Sequence, residues 1–296
     1  MRRIWIKYEE NEEKKNAINY RSITYSFRSC PDMVNIPYSP IKTEFQKEVS
    51  SLMTANKLPA SDYVFTEKDF SHLPDIIQKY IKNCNYIGKP KMNYLKMEYH
   101  NVDFMQNKNG PKLLINYTQY NFASGLSRMA LIESSILGIP FDGYDYYKNG
   151  IGGMKGVVAK ALTVFNQKGK DMDKACLVTF LAESFFIPSV LLQNNIIFEK
   201  LSDYEIKATI TRGDQTASGI FTFNEKYEMI SFTTNDRAAI KPDGTMEYIP
   251  WMAICTEYKL YENGIRCPTK FQAVWNYPTE DFIYFNGNIY QISYGF

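Results

Sequence analysis

The stretch that decides the fold is residues 171–186, which read DMDKACLVTFLAESFF. Positions 176, 177, 180, 181 and 184 fall at helical spacing, an acid opens the segment, and Ile187-Pro188 ends it. Val178, Phe185 and Phe186 spread the apolar surface further around the circumference. A helix that is apolar on most of its sides must be covered on more than one of them. The sequence therefore predicts a helix over 172–186 that lies inside the rest of the chain.

Before this segment the pattern has a period of two, which is typical of strands. Leu95, Met97 and Tyr99 alternate with polar neighbours, and residues 114–120 alternate in the same way. Three further strands are predicted at about 129–136, 143–149 and 154–165, broken at 138–140 and 149–153. The glycines of 149–153 lack the spacing of a phosphate-binding loop, so they predict a turn or bulge.

After the segment the sequence is almost entirely strand. Alternating runs at 205–210, 220–223 and 229–232 are separated by turn residues, and Asn263-Gly264 predicts a hairpin between 251–260 and 265–275. If these two residues are the centre of the turn, Cys255 lies opposite Gln272 and Cys267 opposite Leu260. A last strand is predicted over 282–294, with a bulge or bend at 286–288.

These elements predict an α+β fold built on one large antiparallel sheet. We count about ten to twelve strands and three helices, with no strand-helix alternation after residue 90, which excludes a parallel doubly wound sheet. So many strands must curl or close, and the helix at 172–186 would fill or cover the concave face. Two shorter helices are predicted, over 41–54 and from about Pro74 to Ile81. We divide the chain into an N-terminal extension, 1–70, and a sheet domain, 71–296.

Composition narrows the classes of function. Lys and Arg total 34 against 32 Asp and Glu, a net charge of +2, which gives no nucleic-acid-binding footprint. Five cysteines without a C-x-x-C pair and only two histidines, His72 and His100, argue against a disulfide framework and a metal centre. We expect no cofactor. The charged N-terminus carries no apolar segment of membrane-spanning length, so we expect a cytoplasmic protein.

Three strings resemble, in order and spacing, an uncharacterised bacterial family of unknown function. They are LPDIIQKY at 73–80, LAESFFIPS at 181–189 and Cys267-Pro268-Thr269, against family patterns L-P-x-P-V-Q-R-Y, A-E-x-x-W-F-P and I-P-T. Ile76, Phe185 and Cys267 depart from those patterns. The resemblance spans about residues 70–295 and implies a half-barrel similar to lipoprotein carriers, with helices in its mouth. It also implies that relatives are often anchored to membranes by an N-terminal helix.

The function that we favour is a non-enzymatic binding module. A curved sheet encloses volume that side chains or a ligand must fill, and a hydrophobic small molecule or lipid would suit the many aromatic residues. The candidate ligand-facing residues are Phe180, Phe185, Phe186, Trp251 and Trp275, with Glu183 and Arg237 as a polar pair. The alternative for the aromatic residues is that they simply fill the core.

Two other functions remain open. A hydrolase could use Glu183 as a general acid or base, because a carboxylate on an apolar helix is costly unless it is paired or protonated; a structural ion pair is the alternative role. A scaffold could dock on a partner through the charged, proline-containing N-terminal arm.

Overall fold

A computed structural model describes residues 38–55, 64–108, 110–240 and 245–296. The helices are α1 Pro40–Ala55, α2 Glu67–Phe70, α3 Asp75–Asn83, α4 Lys170–Ala182 and α5 Pro188–Leu191, with 3-10 turns at Ser124–Leu126 and Ser184–Phe186. The strands are β1 Tyr94–Met105, β2 Lys112–Phe122, β3 Ser127–Ile136, β4 Ile139–Lys148, β5 Ile151–Val158, β6 Leu162–Gln167, β7 Ile196–Lys200, β8 Glu205–Arg212, β9 Gln215–Phe223, β10 Met229–Thr234, β11 Ala238–Ile240, β12 Met246–Tyr248, β13 Trp251–Thr256, β14 Lys259–Leu260, β15 Arg266–Cys267, β16 Lys270–Asn276 and β17 Asp281–Gly295. Most of the predicted N-terminal arm lies outside the described residues.

One sheet dominates the molecule. Its 13 strands run in the order β6-β5-β4-β3-β2-β1-β17-β16-β13-β10-β9-β8-β7, so β6 and β7 are its free edges and the sheet stays open. Every neighbouring pair is antiparallel. The short pairs β11–β12 and β14–β15 form two further ribbons. The expected α+β fold with a large antiparallel sheet is confirmed, although the described residues contain more strands than the sequence predicted.

The sheet curves strongly, and α4 lies in its concave side. In the sheet order β5 and β9 are nine strands apart, a separation of roughly 40 Å in a flat sheet. Yet α4 packs against both strands, and Nε2 of Gln215 donates a 3.3 Å hydrogen bond to the carbonyl oxygen of Gly150 in the β4–β5 turn. The two flanks are therefore brought together across one helix, which explains why that helix is apolar on most of its sides.

The predicted helix ends earlier than expected, at Ala182. Glu183 caps it, and Ser184–Phe186 form a 3-10 turn before Pro188, which cannot continue a helix. Phe185 then packs edge-to-face on Tyr80 of α3 with 5.1 Å between ring centroids, and the Tyr80 hydroxyl donates to the Phe185 carbonyl at 3.0 Å. The predicted helix at the Pro74 position is confirmed as α3, which closes this end of the concave side.

The predicted helix over 41–54 is confirmed as α1, and it covers the convex face. Ile41, Phe45, Val49 and Leu52 pack on side chains of β3 and β4 in a second core cluster. The residues of β3 are consequently buried on both faces over Ser127–Ile132. The division of the chain at residue 70 stays a prediction.

Two-residue turns place the hairpins differently from the sequence expectation. Leu137-Gly138 and Asn149-Gly150 have positive φ at both positions, the signature of type I′ turns, so residue 140 lies within β4 and residues 152 and 153 within β5. The strand expected over 154–165 is two strands, because Ala159 and Lys160, both with positive φ, turn the chain between β5 and β6.

The Asn263-Gly264 hairpin is confirmed, but its predicted register is wrong by one residue. Tyr261 N donates to Ile265 O at 2.9 Å, which leaves a three-residue loop in which Gly264 has φ +74°. Cys255 therefore faces Phe271, and Cys267 faces Lys259. As predicted, the two cysteines do not face each other.

The last strand is confirmed as β17. Its register against β1 shifts between the pairs Ile289–Tyr99 and Asn286–Asp103, at the position predicted for the irregularity over 286–288, although the extra residue is in β1. Two further irregularities lie on either side of this position. The register against β16 shifts at Tyr284, and the register against β1 shifts at Tyr290. Among the described residues, no helix combines the length and apolar character that crossing a membrane requires.

Candidate functional site

A cavity of about 490 Å³ lies between α4 and the concave face of the sheet. The helix contributes Met172, Ala175, Thr179 and Ala182, which share one face, and Glu183 follows at its end. Aromatic side chains supply most of the remaining wall: Tyr99, Phe104, Tyr117, Phe165, Trp251, Phe271, Trp275, Tyr277, Phe282, Tyr284 and Phe285. The exposed lining residues Gln106 and Asn107, beyond the end of β1, mark where the cavity meets solvent.

Cross-strand pairing between β13 and β16 shapes one wall. Trp251 faces Trp275, Ala253 faces Ala273, and Cys255 faces Phe271, and all six residues line the cavity. Directly opposite residues in an antiparallel pair point to the same face. The alanine pair leaves space between larger residues on both sides, so the cavity follows from the small side chains at these positions.

A buried arginine, Arg128 of β3, organises the polar part of the site. Its side chain is 5% exposed; Nε donates to Oε2 of Glu183 at 2.9 Å and Nη1 to Oδ2 of Asp145 at 2.7 Å. Nη2 donates to the Tyr117 hydroxyl. Asn121 Nδ2 donates to the same Glu183 oxygen at 2.8 Å. These bonds join β2, β3 and β4 to the C-terminal end of α4.

The electrostatics of this network favour the charged form of Arg128. Burial lowers the pKa of the guanidinium, but the interactions with Glu183, Tyr117 and Asp145 outweigh it and the net shift is upward. Burial raises the pKa of Tyr117, so its hydroxyl stays protonated. The site therefore contains a fixed ion-pair network, with two carboxylates on one guanidinium.

The predicted pair between Glu183 and Arg237 does not form. Arg237 lies beside an earlier turn of α4, on the N-terminal side of Glu183. There its Nη1 donates to the Ala175 carbonyl oxygen at 2.7 Å and to the Thr179 hydroxyl. Its guanidinium carbon lies 4.7 Å from the Trp251 ring centroid and 5.8 Å from that of Trp275. Glu183 and Arg237 both line the cavity, but each has other partners.

Arg128 is not among the residues predicted from the sequence, because its strand has the pattern of an ordinary apolar run. A signal was present in the neighbouring strand: Tyr117, Gln119 and Asn121 put polar groups at alternate positions, on one face. Polar groups that recur on a face expected to be buried indicate a buried hydrogen-bonding partner.

Three of the predicted ligand-facing residues do not line the cavity. Phe180, Phe185 and Phe186 are at most 1% exposed and lie in the core rather than along the cavity. Phe185 packs on Phe221 with 4.5 Å between ring centroids, and Phe186 packs on Phe271 at 5.1 Å. The early end of α4 turns these rings away. The alternative role, core filling, applies to them, whereas Trp251 and Trp275 do line the cavity.

Neither histidine lines the cavity. His72 is exposed in the turn after α2, and His100 stacks on Tyr290 on the outside of β1 with 4.1 Å between ring centroids. In the described parts of the chain, no group of three or more His, Cys, Asp or Glu side chains could hold a metal ion.

The chain matches a family model and is similar to solved structures. No curated protein matches the chain. A putative outer membrane lipoprotein-sorting protein domain from Vibrio parahaemolyticus is similar, with 10% identity, a TM-score of 0.42, and coverage of 74% of this chain and 91% of that one. A DUF1329 family protein from Desulfovibrio piger is similar with 11% identity, a TM-score of 0.39, and coverage of 78% and 94%. Residues 63–287 match the model of the family of unknown function DUF6544, and the chain therefore belongs to that family.

Proposed function

We propose that this protein binds a hydrophobic, lipid-like molecule in the cavity between α4 and the concave face of the sheet. The observation that carries the proposal is the cavity itself, whose 490 Å³ lies within the range of about 300–1,000 Å³ typical of small-molecule sites. Its walls combine aromatic rings with a few fixed polar groups, which is the usual composition of such sites.

The alanine pair supports a site that is kept open. Ala253 and Ala273 face each other between the Trp251–Trp275 pair and the Cys255–Phe271 pair. A larger residue at either alanine would project into the same space. A core under selection for packing alone would be filled here, because interiors pack as densely as organic crystals.

A neutral fluorophore tests the proposal. N-phenyl-1-naphthylamine, which fluoresces in apolar surroundings, should bind saturably and be displaced by dodecan-1-ol. The chain has three tryptophans, and two of them, Trp251 and Trp275, line the cavity. In a Trp5→Phe variant, energy transfer from these two to the bound probe should report occupancy of the cavity.

Matched variants locate the binding. Ala253→Phe should weaken probe binding at least about tenfold, because the ring occupies the site. Ile283→Phe places the same ring on a side chain that is 45% exposed and does not line the cavity, and it should leave binding unchanged. Absence of saturable binding to the unmodified protein would end the proposal.

A further inference from the structure

Four charged side chains line the cavity, two cations and two anions, but both anions pair with the same cation. They are Arg128, Asp145, Glu183 and Arg237. Asp145 and Glu183 both bond to Arg128. Arg237 has no carboxylate within 4.0 Å among the residues that the structure describes. Both anions are therefore committed to one cation, and the second cation has none in direct contact.

The surroundings hold Arg237 in place without neutralising its charge. Nη1 donates to the Ala175 carbonyl and to the Thr179 hydroxyl, both neutral groups of α4. The guanidinium lies over the faces of Trp251 and Trp275, an arrangement that favours a cation over an aromatic ring. The buried Nε has no hydrogen-bond partner.

A fixed guanidinium beside an apolar cavity favours a negatively charged ligand group. Burying a charge is costly unless an opposite charge or hydrogen bonds compensate it, and guanidinium binds carboxylate and phosphate oxygens with charge-assisted hydrogen bonds. An uncharged ligand would fill the same space and leave the charge of Arg237 uncompensated.

We propose that Arg237 recognises the acidic group of the ligand, so that the cavity takes an amphipathic acid with an apolar chain and a carboxylate or phosphate end. This inference rests on the proposed function. It adds that Trp251, Trp275 and Thr179 position Arg237 for the acidic group while the aromatic and alanine walls hold the chain.

Three ligands with one chain length test this inference: dodecanoate, dodecyl phosphate and dodecan-1-ol, titrated against the full chain by displacement of N-phenyl-1-naphthylamine. At least one acid should bind about tenfold or more tightly than the alcohol, a difference of about 1.4 kcal/mol. The two acids distinguish a carboxylate site from a phosphate site. Equal binding of the alcohol and both acids would overturn the inference and leave the proposed function standing, whereas no saturable binding of any of the three would remove both.

Variants assign the preference to Arg237. Arg237→Met keeps an unbranched apolar side chain and removes the guanidinium with its charge, and it should bring the acids within about threefold of the alcohol. Arg212→Met makes the same change outside the cavity and should keep the preference. A preference for the acids that survives in folded Arg237→Met overturns the inference.

If melting curves show that Arg237→Met unfolds, Arg237→Lys decides instead. This variant should retain a preference for the acids that falls as ionic strength rises, and a preference independent of salt would contradict the role of the charge.

Discussion

Nε of Arg128 lies 2.9 Å from Oε2 of Glu183, which ties β3 to the C-terminal end of α4. The same guanidinium bonds to Asp145 on β4. One side chain thus joins the helix that covers the cavity to the sheet that forms its floor. The carboxylate that the sequence identified as a candidate catalytic group is one end of this connection.

Replacing Glu183 and replacing Arg128 should both destabilise the fold, and the loss of Arg128 should cost more. Glu183→Gln leaves Arg128 with Asp145 and should cost about 1–3 kcal/mol of unfolding free energy. Arg128→Met leaves two carboxylates without a cation, and since they are 16% and 22% exposed the cost should be about 2–4 kcal/mol. Urea unfolding measures both, and the double variant should lose less than the sum. Glu280→Gln, at a side chain that is 70% exposed, should change stability by less than about 0.5 kcal/mol. Additive losses would contradict direct coupling.

The Glu183→Gln variant also separates the two roles considered for this carboxylate. Wild type and variant are compared on a panel of ester and glycoside substrates. If Glu183 is structural, any turnover of the wild type persists in the variant and only stability falls. Turnover that disappears from a variant of unchanged stability would support a hydrolase.

Acid sensitivity should include a contribution from Asp69 in the first turn of α2. Burial raises the pKa of this carboxyl, but hydrogen bonds from Lys91 and from the Thr66 backbone and hydroxyl outweigh it and lower the pKa to about 2. A pKa depressed in the folded state gives stability that is present above the unfolded value near 4 and is lost as pH falls toward 2. Asp69→Asn should therefore cost about 1–2 kcal/mol at pH 7, and the cost should shrink between pH 4 and 2. Urea unfolding across this range measures it, and a cost independent of pH would refute the assignment.

The close approach of α4 to β5 requires glycine at position 152. A Cβ there would lie 2.7 Å from Sγ of Cys176 and 2.9 Å from the Met172 carbonyl oxygen, which belongs to the helix backbone. Gly152→Ala should therefore cost about 1–3 kcal/mol and lower the melting temperature. Because α4 also covers the cavity, probe affinity should fall in the same variant. A melting temperature equal to that of the wild type would show that the helix can shift freely.

Four thiols should be inert in the folded protein. Cys84, Cys176, Cys255 and Cys267 are buried, and burial raises the pKa of each. Since the thiolate is the reactive form, a disulfide reagent at pH 8 should titrate none of the four in a Cys30→Ser variant until guanidinium unfolds the chain. Rapid reaction of one thiol in the native state would show that the core opens locally.

Periodicity predicted the type of most elements. The α1 and α3 helices, the long strands and the apolar helix inside a curved sheet follow from local patterns, because burial of one face imposes a period on the sequence. Boundaries were less accurate. The sequence expected one helix through Phe186, whereas the chain turns after Ala182 and sends Phe185 and Phe186 into the core. The three motif strings indicated an uncharacterised family, and membership in such a family is confirmed.

The amino-acid sequence by itself determined that a many-stranded antiparallel sheet would wrap one apolar helix. The two-residue period of the strands and the helix period of about 3.6 residues can both be read from the order of apolar and polar residues. Only the tertiary structure decided which side chains meet across the cavity. A one-residue change in hairpin register moves a strand's side chains to the opposite face; the predicted register would have put Trp275 on the opposite face from Trp251, and the observed one makes them a pair. Likewise, Glu183 pairs with Arg128 rather than Arg237, because the curvature that brings distant strands together depends on the packing of the whole sheet and leaves no local trace in the sequence.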